Sequence, residues 1–227
     1  MLLFCCIFDN MIIVNKKLKQ RAQVVEAYLN KLYPSPACEL YFTNEFELLV
    51  AVILSAQCTD KRVNKITPSL FAKYPKPEDF AYMDQKKLEK LIFSCGFYSA
   101  KAKAIIEASR DIVEKFDSKV PQNREDLMTL RGVGRKTANV ILSVAFGKPA
   151  IAVDTHVYRI AKRFGLSKGE TVWQVEQDLM KLFEEKNWAK LHYQMVLFGR
   201  YNSPARGKSD WKEKFEEFEK EYFTKKG

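Results

Sequence analysis

Apolar residues recur every three or four positions along nearly the whole chain, and no stretch alternates apolar and polar residues over the length of a strand. Because that spacing places apolar side chains on one face of a helix, it predicts an all-α fold. The most apolar run, residues 46–57, carries large aliphatic residues around most of its circumference. It is therefore predicted to be the central core helix, with Asn44 as its N-cap.

The other periodic runs are bounded by residues that commonly begin or end helices. Gly96, Gly147 and Gly165 each follow such a run, and Asp84 and Asp154 precede runs as candidate N-caps. The further predicted helices span residues 17–32, 59–73 with a break near Pro68, 86–95, 99–115, 125–130, 135–146, 155–164, 172–184 and 188–201.

Two glycines one residue apart, Gly132 and Gly134, separate two of these helices. Glycine adopts backbone conformations closed to other residues, and the first amides of the second helix lack intrahelical partners and suit a phosphate. The pattern is typical of a helix-hairpin-helix, which holds the nucleic-acid backbone without reading sequence; an ordinary glycine turn is the alternative. The residues predicted to contact DNA here are Arg131, Gly132, Val133, Gly134, Arg135 and Thr137.

The charge of the chain favours a polyanionic partner. Its formal net charge is +10, which suits nucleic acid or an acidic membrane surface. Residues 131–163 contain seven Lys or Arg against the single acid Asp154, as expected of a surface that binds phosphates. No apolar run approaches about 18 residues, the length of a membrane span. DNA is therefore the expected partner, and no membrane association is expected.

Residues 130–140 and 151–156 closely resemble the endonuclease III family of helix-hairpin-helix DNA glycosylases with AP-lyase activity. The similarity extends upstream through residues 46–49 and 54–57 and covers roughly residues 16–201. The combination of these motifs is highly specific, and it supplies expectations about the fold, the site and the reaction.

The resemblance implies two helical domains with a DNA-binding cleft between them. Residues 37–148 would form a six-helix barrel with the helix-hairpin-helix at about 124–146. Residues 16–36 and 149–227 would pack together as the second domain. Residues 1–15 lie outside the resemblance and are expected to be an N-terminal extension, with either Met1 or Met11 as the start.

Lys136 is the candidate nucleophile. It lies in the first turn of the post-hairpin helix, where the helix dipole and neighbouring Arg131 and Arg135 disfavour its charged form, and partial burial would act the same way. A neutral lysine amine is a competent nucleophile and Schiff-base former. The alternative is a lysine that only binds phosphate.

Asp154 is the candidate catalytic carboxylate. By the resemblance, the lysine at position 136 attacks the sugar C1′ and displaces the base, the Schiff base permits β-elimination of the 3′-phosphate, and Asp154 assists base loss and proton transfer. A carboxylate beside a cationic sugar transition state suits glycosidic cleavage. On its own, Asp154 would be interpreted as an N-cap.

Five further residues are expected at the extruded nucleotide. A glycosylase must flip its target and fill the gap that remains. The resemblance assigns gap filling to Gln57 and places Phe97 where the family carries an apolar wedge; a core phenylalanine is the alternative. His156 is expected to touch the DNA backbone or the base pocket, or else to be a helix-surface histidine. Ser55 and Asp60 are weaker candidates for the base pocket.

The chain departs from the family where a cofactor would be bound. Most members carry four cysteines after the segment that matches Gly199-Arg200-Tyr201, and these hold a 4Fe–4S cluster. This chain has no cysteine after Cys95, and its five cysteines form no C-x-x-C pair. No cofactor and no metal are therefore predicted, and the thiols are expected to be reduced, in a cytoplasmic protein.

A C-terminal helix is predicted to take the place of the cluster. Its apolar stripe has spacings of four, three and four residues, with Asp210 as the candidate N-cap. The helix is expected to pack by hydrophobic burial. The stripe consists of Trp211, Phe215, Phe218 and Tyr222.

The predicted function is that of a bifunctional DNA glycosylase and AP lyase of base excision repair. It would act, as a monomer, on oxidised pyrimidines and abasic sites in duplex DNA. One alternative is a monofunctional or mismatch-directed glycosylase, which has no need of an amine at Lys136. Another is a non-catalytic helix-hairpin-helix DNA-binding module, which leaves Asp154 and Gln57 unexplained.

Overall fold

The computed structural model of the chain describes the backbone of residues 2–225 and the side chains of residues 16–225. Over that range the chain is all-helical, as predicted, with thirteen α-helices and no strand. The side chains of the expected N-terminal extension, residues 1–15, lie outside the described residues. The helices are α1 (Leu2–Leu32), α2 (Glu45–Ser55), α3 (Asp60–Val63), α4 (Thr67–Lys73), α5 (Pro77–Ala81), α6 (Gln85–Ile92), α7 (Tyr98–Lys115), α8 (Arg124–Thr129), α9 (Arg135–Ala145), α10 (Thr155–Arg163), α11 (Val172–Leu182), α12 (Trp188–Tyr201) and α13 (Trp211–Thr224).

The described chain divides into two compact units. The first joins the chain up to Ala37 to the chain from Val153 onward, and the second is Cys38–Ala152. The second unit holds the eight helices α2–α9 where the resemblance implied six, and α3 and α5 are only four and five residues long. Proline begins new short helices here: Pro68, predicted as a break, lies in the first turn of α4, where its missing N–H is not needed.

Helix α2 is the core of the second unit. Every residue from Phe46 to Leu54 is buried, which confirms the helix predicted from its continuous hydrophobicity. Asn44 is its N-cap, and the side-chain oxygen accepts from the backbone N–H of Glu47 at 2.9 Å. The helix ends at Ser55, two residues before the predicted end, because Ala56 leaves the helical conformation with ψ of 116°, and Gln57 after it is left-handed with φ of 51°.

Helix α13 packs in the first unit through aromatic side chains. Phe215 is buried, and its ring lies 5.2 Å from that of Tyr28 in α1 and 4.9 Å from that of Phe164 after α10. Arg21 reinforces the contact, since its guanidinium lies 4.5 Å from the Phe215 ring and 2.6 Å from the Glu219 carboxylate. The predicted packing of α13 by hydrophobic burial is confirmed.

The predicted capping of α13 by Asp210 is wrong in its detail. Asp210 stands at the N-cap position, but its side chain makes no capping hydrogen bond. Its carboxylate instead pairs with Lys214 one turn later, at 2.8 Å. Both side chains are exposed, so this ion pair adds little to stability.

We expect Phe215→Ala to lower the free energy of unfolding by about 3–5 kcal/mol, because it removes a buried ring and leaves a cavity among aromatic neighbours. Chemical denaturation measures the change. Phe223→Ala, on the same helix but 48 % exposed, is the matched control and should stay within about 0.5 kcal/mol of the parent. Equal effects of the two substitutions would show that α13 is not held by its aromatic stripe.

Candidate nucleic-acid interface

The predicted hairpin is formed by α8 and α9 and the turn between them. Asn123 caps α8 by accepting from the Asp126 amide at 2.8 Å. Leu130 and Val133 are buried, and the Val133 amide donates to the Leu130 carbonyl at 3.1 Å. Val133 was predicted to contact DNA, but its amide and its side chain are both used inside the protein. The structure therefore shows Val133 as an anchor of the turn, and its predicted DNA contact stays a prediction.

Glycine is present at the two positions of the turn for different physical reasons. Gly132 has φ of +79°, and an added Cβ would lie 3.0 Å from Cβ of Ala104 in α7 and 3.7 Å from Ile53 in α2. Gly134 has φ of −92° and ψ of 177°, an extended conformation open to any residue, and an added Cβ would meet nothing. The prediction that both glycines need special backbone conformations is therefore correct for Gly132 and wrong for Gly134.

Gly134 leaves the start of α9 uncovered. It occupies the N-cap position, and no side-chain hydrogen bond caps the helix. The first amides of a helix have no intrahelical acceptor, and with the helix dipole they favour an anion. The hairpin therefore presents an open helix N-terminus, flanked by the partly exposed Arg135 and Thr137.

Lys136 lies in this first turn of α9 and is exposed. It makes no hydrogen bond or ion pair with any residue that the structure describes. The predicted partial burial of Lys136 is therefore wrong. An exposed amine without a partner is available to a ligand.

Asn139 is a positioning residue that sequence reasoning missed. It is fully buried in α9, its Oδ1 accepts from Nε of Arg124 in α8 at 2.8 Å, and its Nδ2 donates to the Ile151 carbonyl at 2.8 Å. The amide thus ties both helices of the hairpin to the buried segment at residues 150–152. The available signal was a single polar residue within the apolar run 138–142.

The basic stretch 131–163 is less free than its composition suggests. The Arg131 guanidinium pairs with Glu107 at 3.0 Å, and Lys148 donates to the Gln122 carbonyl. Arg159 donates to the Gly199 carbonyl at 2.8 Å, and Arg163 to the Ser203 carbonyl at 2.9 Å. These four cations of the basic stretch therefore have internal partners, and the role of the stretch as a phosphate-binding surface stays a prediction.

Asp154 is the N-cap of α10. One carboxylate oxygen accepts from the Val157 amide at 2.8 Å, and the side chain is half-buried. The alternative interpretation of Asp154 as an N-cap is therefore confirmed. The second carboxylate oxygen is not used in this cap. Asp154 belongs to the first unit and Lys136 to the second. The expected arrangement of the two residues on opposite sides of a cleft therefore stays a prediction.

His156 is half-buried in the first turn of α10. Its Nδ1 lies 3.2 Å from the Arg159 guanidinium. In the Nε2-protonated tautomer, Nδ1 accepts a hydrogen bond from this guanidinium. Burial lowers the pKa of His156, although Asp154 opposes the shift. The lowered pKa favours the neutral form of the imidazole.

Gln57 and Phe97 share an uncommon feature. Both have a positive φ, 51° and 58° respectively, and both side chains are exposed. For Phe97, 67 % exposed, the alternative of a core phenylalanine is wrong. Ser55 is half-buried, and its hydroxyl donates to the Val52 carbonyl at 2.8 Å, within its own helix. Asp60 is half-buried in the first turn of α3.

The donor atoms near the end of α12 do not fit a thiolate-bound cluster. The chain after Tyr201 contains no cysteine, and Ser203 is buried there with its oxygens accepting from Arg163. Within residues 16–225, no group of three or more His, Cys, Asp and Glu side chains is placed to hold a metal ion. In the same part of the chain, no helix has both the length and the apolar character needed to cross a membrane.

Known proteins resemble this chain in sequence and in fold. Residues 50–185 match the HhH-GPD superfamily of base excision DNA repair proteins. The chain is 50% identical over 189 residues to endonuclease III of Synechocystis sp., which covers 83% of this chain and 86% of that protein. It is 47% identical over 179 residues to endonuclease III of Bacillus subtilis, covering 78% and 82%.

A solved structure shows the same likeness in three dimensions. It is a trapped endonuclease III–DNA covalent intermediate, which the chain matches with a TM-score of 0.81 and 46% sequence identity. The match covers 83% of this chain and 89% of that one.

Substitutions at the two hairpin glycines are expected to change the free energy of unfolding in opposite directions. Gly132→Ala should lower the free energy of unfolding by about 1–3 kcal/mol, because alanine must adopt a left-handed conformation against Ala104. Gly134→Ser should raise that free energy by up to about 1 kcal/mol, because the hydroxyl caps α9. The same hydroxyl covers the helix amides, so DNA affinity should fall.

Denaturant titration and fluorescence anisotropy with duplex DNA measure the two quantities. If Gly134→Ser bound DNA as tightly as the parent, the open amides of α9 would not be a phosphate site.

Proposed function

The chain belongs to the HhH-GPD superfamily of base excision DNA repair proteins, among the endonuclease III enzymes, and we propose that it is bifunctional, an AP lyase as well as a DNA glycosylase. The proposed substrates are oxidised pyrimidines and abasic sites in duplex DNA. The observation that carries the proposal is the exposed Lys136 amine, without a partner among the described residues, in the first turn of α9.

In the proposed reaction the neutral Lys136 amine attacks C1′ of the damaged nucleotide, and the bond from C1′ to the base breaks. The departing base takes up a proton, and the sugar opens to a Schiff base on Nζ. This iminium makes the proton at C2′ acidic, so that its removal expels the 3′-phosphate by β-elimination. Water then hydrolyses the Schiff base and restores the amine.

Asp154 is proposed to assist this sequence. A carboxylate close to the sugar stabilises positive charge that develops as the base departs. Its capping bond to Val157 uses one oxygen and fixes the orientation of the group. The second oxygen accepts no hydrogen bond from the described residues and is the one proposed to act.

The hairpin is proposed to hold the phosphate backbone. Gly134 leaves space at the N-terminus of α9, and an anion there gains from the first amides and the helix dipole. Gln57 and Phe97 are proposed to fill the gap left by the extruded nucleotide, since both side chains are exposed and the two loops that carry them are adjacent. A monomer suffices for this arrangement.

The two alternatives account for fewer of these observations. A monofunctional or mismatch-directed glycosylase activates water and needs no amine at position 136. A DNA-binding module without catalysis requires only the hairpin. The exposed lysine favours the bifunctional enzyme over both.

Borohydride trapping tests the proposal, because reduction converts a Schiff base into a stable covalent adduct. The parent enzyme should be trapped on duplex DNA that carries an oxidised thymine or an abasic site. Lys136→Gln should abolish the adduct while duplex binding persists, because the amide cannot form an imine. Lys168→Gln, at an exposed lysine in the first unit, is the control and should be trapped as well as the parent.

Two other results would identify the alternatives. Release of the oxidised base by the parent without an adduct would indicate a monofunctional glycosylase. Binding without base release or an adduct would indicate a DNA-binding module. Trapping on duplexes with an oxidised purine but none with an oxidised thymine would overturn the proposed lesion class.

We also propose that the chain carries no 4Fe–4S cluster, since its C-terminal segment offers no thiolate. Protein purified without oxygen should contain no stoichiometric iron or acid-labile sulfide and should show no visible absorption band. Four equivalents of iron per chain, lost on substitution of Cys38, Cys58 or Cys95, would contradict this expectation.

A further inference from the structure

The loops that carry Gln57 and Phe97 lie side by side in the second unit. An added Cβ on Gly96 would be 3.8 Å from the carbonyl oxygen of Gln57. Gln57 follows the C-terminus of α2, and Phe97 precedes the N-terminus of α7. Each residue holds a left-handed backbone conformation, which is unfavourable for a residue with a side chain and needs support from the surroundings.

Lys101 bonds to the end of the helix that precedes the Gln57 loop and to Phe97 itself. Its ammonium donates to the carbonyl of Leu54 near the C-terminus of α2, at 2.8 Å. Its backbone amide donates to the carbonyl of Phe97, at 3.0 Å, which is the first helical bond of α7. One residue therefore connects the chain three residues before Gln57 directly to Phe97.

The surroundings of Lys101 explain why its ammonium bonds to the carbonyl of Leu54. The residue is only 6 % exposed, and a buried ammonium is costly unless it is hydrogen-bonded. Its position near the N-terminus of α7 opposes the dipole of that helix, whereas the carbonyl of Leu54 lies at the favourable end of α2. Burial lowers the pKa of Lys101, with the thiols of Cys58 and Cys95 acting in the opposite direction.

No carboxylate competes for this ammonium. Lys101 forms no ion pair with any residue that the structure describes, and its polar neighbours are Cys58 and Cys95. Burial, followed by the adjacent Cys58, raises the pKa of the Cys95 thiol to about 11. Because Cys95 is then a neutral thiol at physiological pH, the carbonyl of Leu54 is the principal partner of the charge.

We infer that Lys101 is a positioning residue for nucleotide extrusion, which holds the Gln57 and Phe97 loops at a fixed separation. The inference rests on the proposed function. Extrusion leaves a gap in the base stack, and two side chains can fill it together only if their spacing is set before DNA binds. Without the ammonium, the C-terminus of α2 and the left-handed Gln57 lose their link to α7.

A purely structural lysine would behave differently from a positioning one. Loss of general stability lowers every activity by the same factor, because fewer molecules are folded. Loss of loop spacing lowers only the steps that require extrusion from a duplex. An abasic site in single-stranded DNA needs no extrusion, so its trapping by Lys136 reports the chemistry alone.

The test compares Lys101→Met, which keeps the length of the side chain but removes the donor, with Lys103→Met. Lys103 is on the same helix, exposed, and paired only loosely with Glu107 at 3.8 Å. Borohydride trapping on single-stranded abasic DNA counts the active molecules of each variant. Single-turnover base excision on duplex DNA is then expressed per active molecule. The fluorescence of an adenine analogue opposite the lesion is expressed per folded molecule, with the folded fraction measured by circular dichroism.

Lys101→Met should reduce duplex excision and the fluorescence change by about tenfold or more, the effect of losing one charge-assisted hydrogen bond. Single-strand trapping per folded molecule, and all readouts for Lys103→Met, should stay within about twofold of the parent. If methionine prevents folding, Lys101→Gln, whose shorter neutral amide keeps a polar group in the site, is measured in the same way.

Equal losses on duplex and single-stranded DNA, or no loss on either, would overturn the inference. A parent enzyme that yields no adduct on either substrate would overturn the lyase proposal instead. The fluorescence change, which does not depend on the Schiff base, would still decide the role of Lys101 in that case.

Discussion

The contact of Gly132 with Ala104 and Ile53 is the packing constraint on which the second unit depends. It brings the hairpin turn so close to α2 and α7 that an added Cβ would lie 3.0 Å from Cβ of Ala104. The proposed functional groups of the unit extend from these same helices, with Lys136 at the start of α9, Gln57 after α2 and Phe97 before α7. A single close approach of three helices therefore fixes where the amine and the two gap-filling residues emerge.

Hydrogen bonds within the protein add to this packing. Some of them engage arginines of the basic stretch 131–163, whose composition favours phosphate binding. Arg159 donates to the Gly199 carbonyl in the last turn of α12, and Arg163 donates to the Ser203 carbonyl just after that helix. Arg163 also contacts the hydroxyl of Ser203, which is buried. With α13 packed by its aromatic stripe, this arginine network supports the C-terminal region through both apolar and polar contacts.

Periodicity predicted the helices well because helix formation is local, and caps such as Asn44 and Asp154 lie where the sequence indicated. The misses that concern burial depend on contacts between residues distant in sequence. Nothing local shows that Gly134 needs no special φ or that Val133 is buried. Lys101 was also unpredictable, because its partner, the carbonyl of Leu54, is 47 residues away. Site residues came from family resemblance, whereas their supports came only from the structure.

Lys101 and Lys136 show how burial separates two roles of one residue type. Lys101 is enclosed by protein, so its charge is committed to a carbonyl and serves the geometry of the loops. Lys136 is exposed and has no partner among the described residues. Protein alone therefore does not exclude water from its amine. In the proposed reaction the bound DNA must supply that exclusion, since a site closed by its substrate strengthens every electrostatic interaction within it. It follows that the environment in which Lys136 acts as a nucleophile is formed when the nucleotide is extruded and is absent from the free enzyme. The spacing set by Lys101 therefore acts before the chemistry of Lys136 begins.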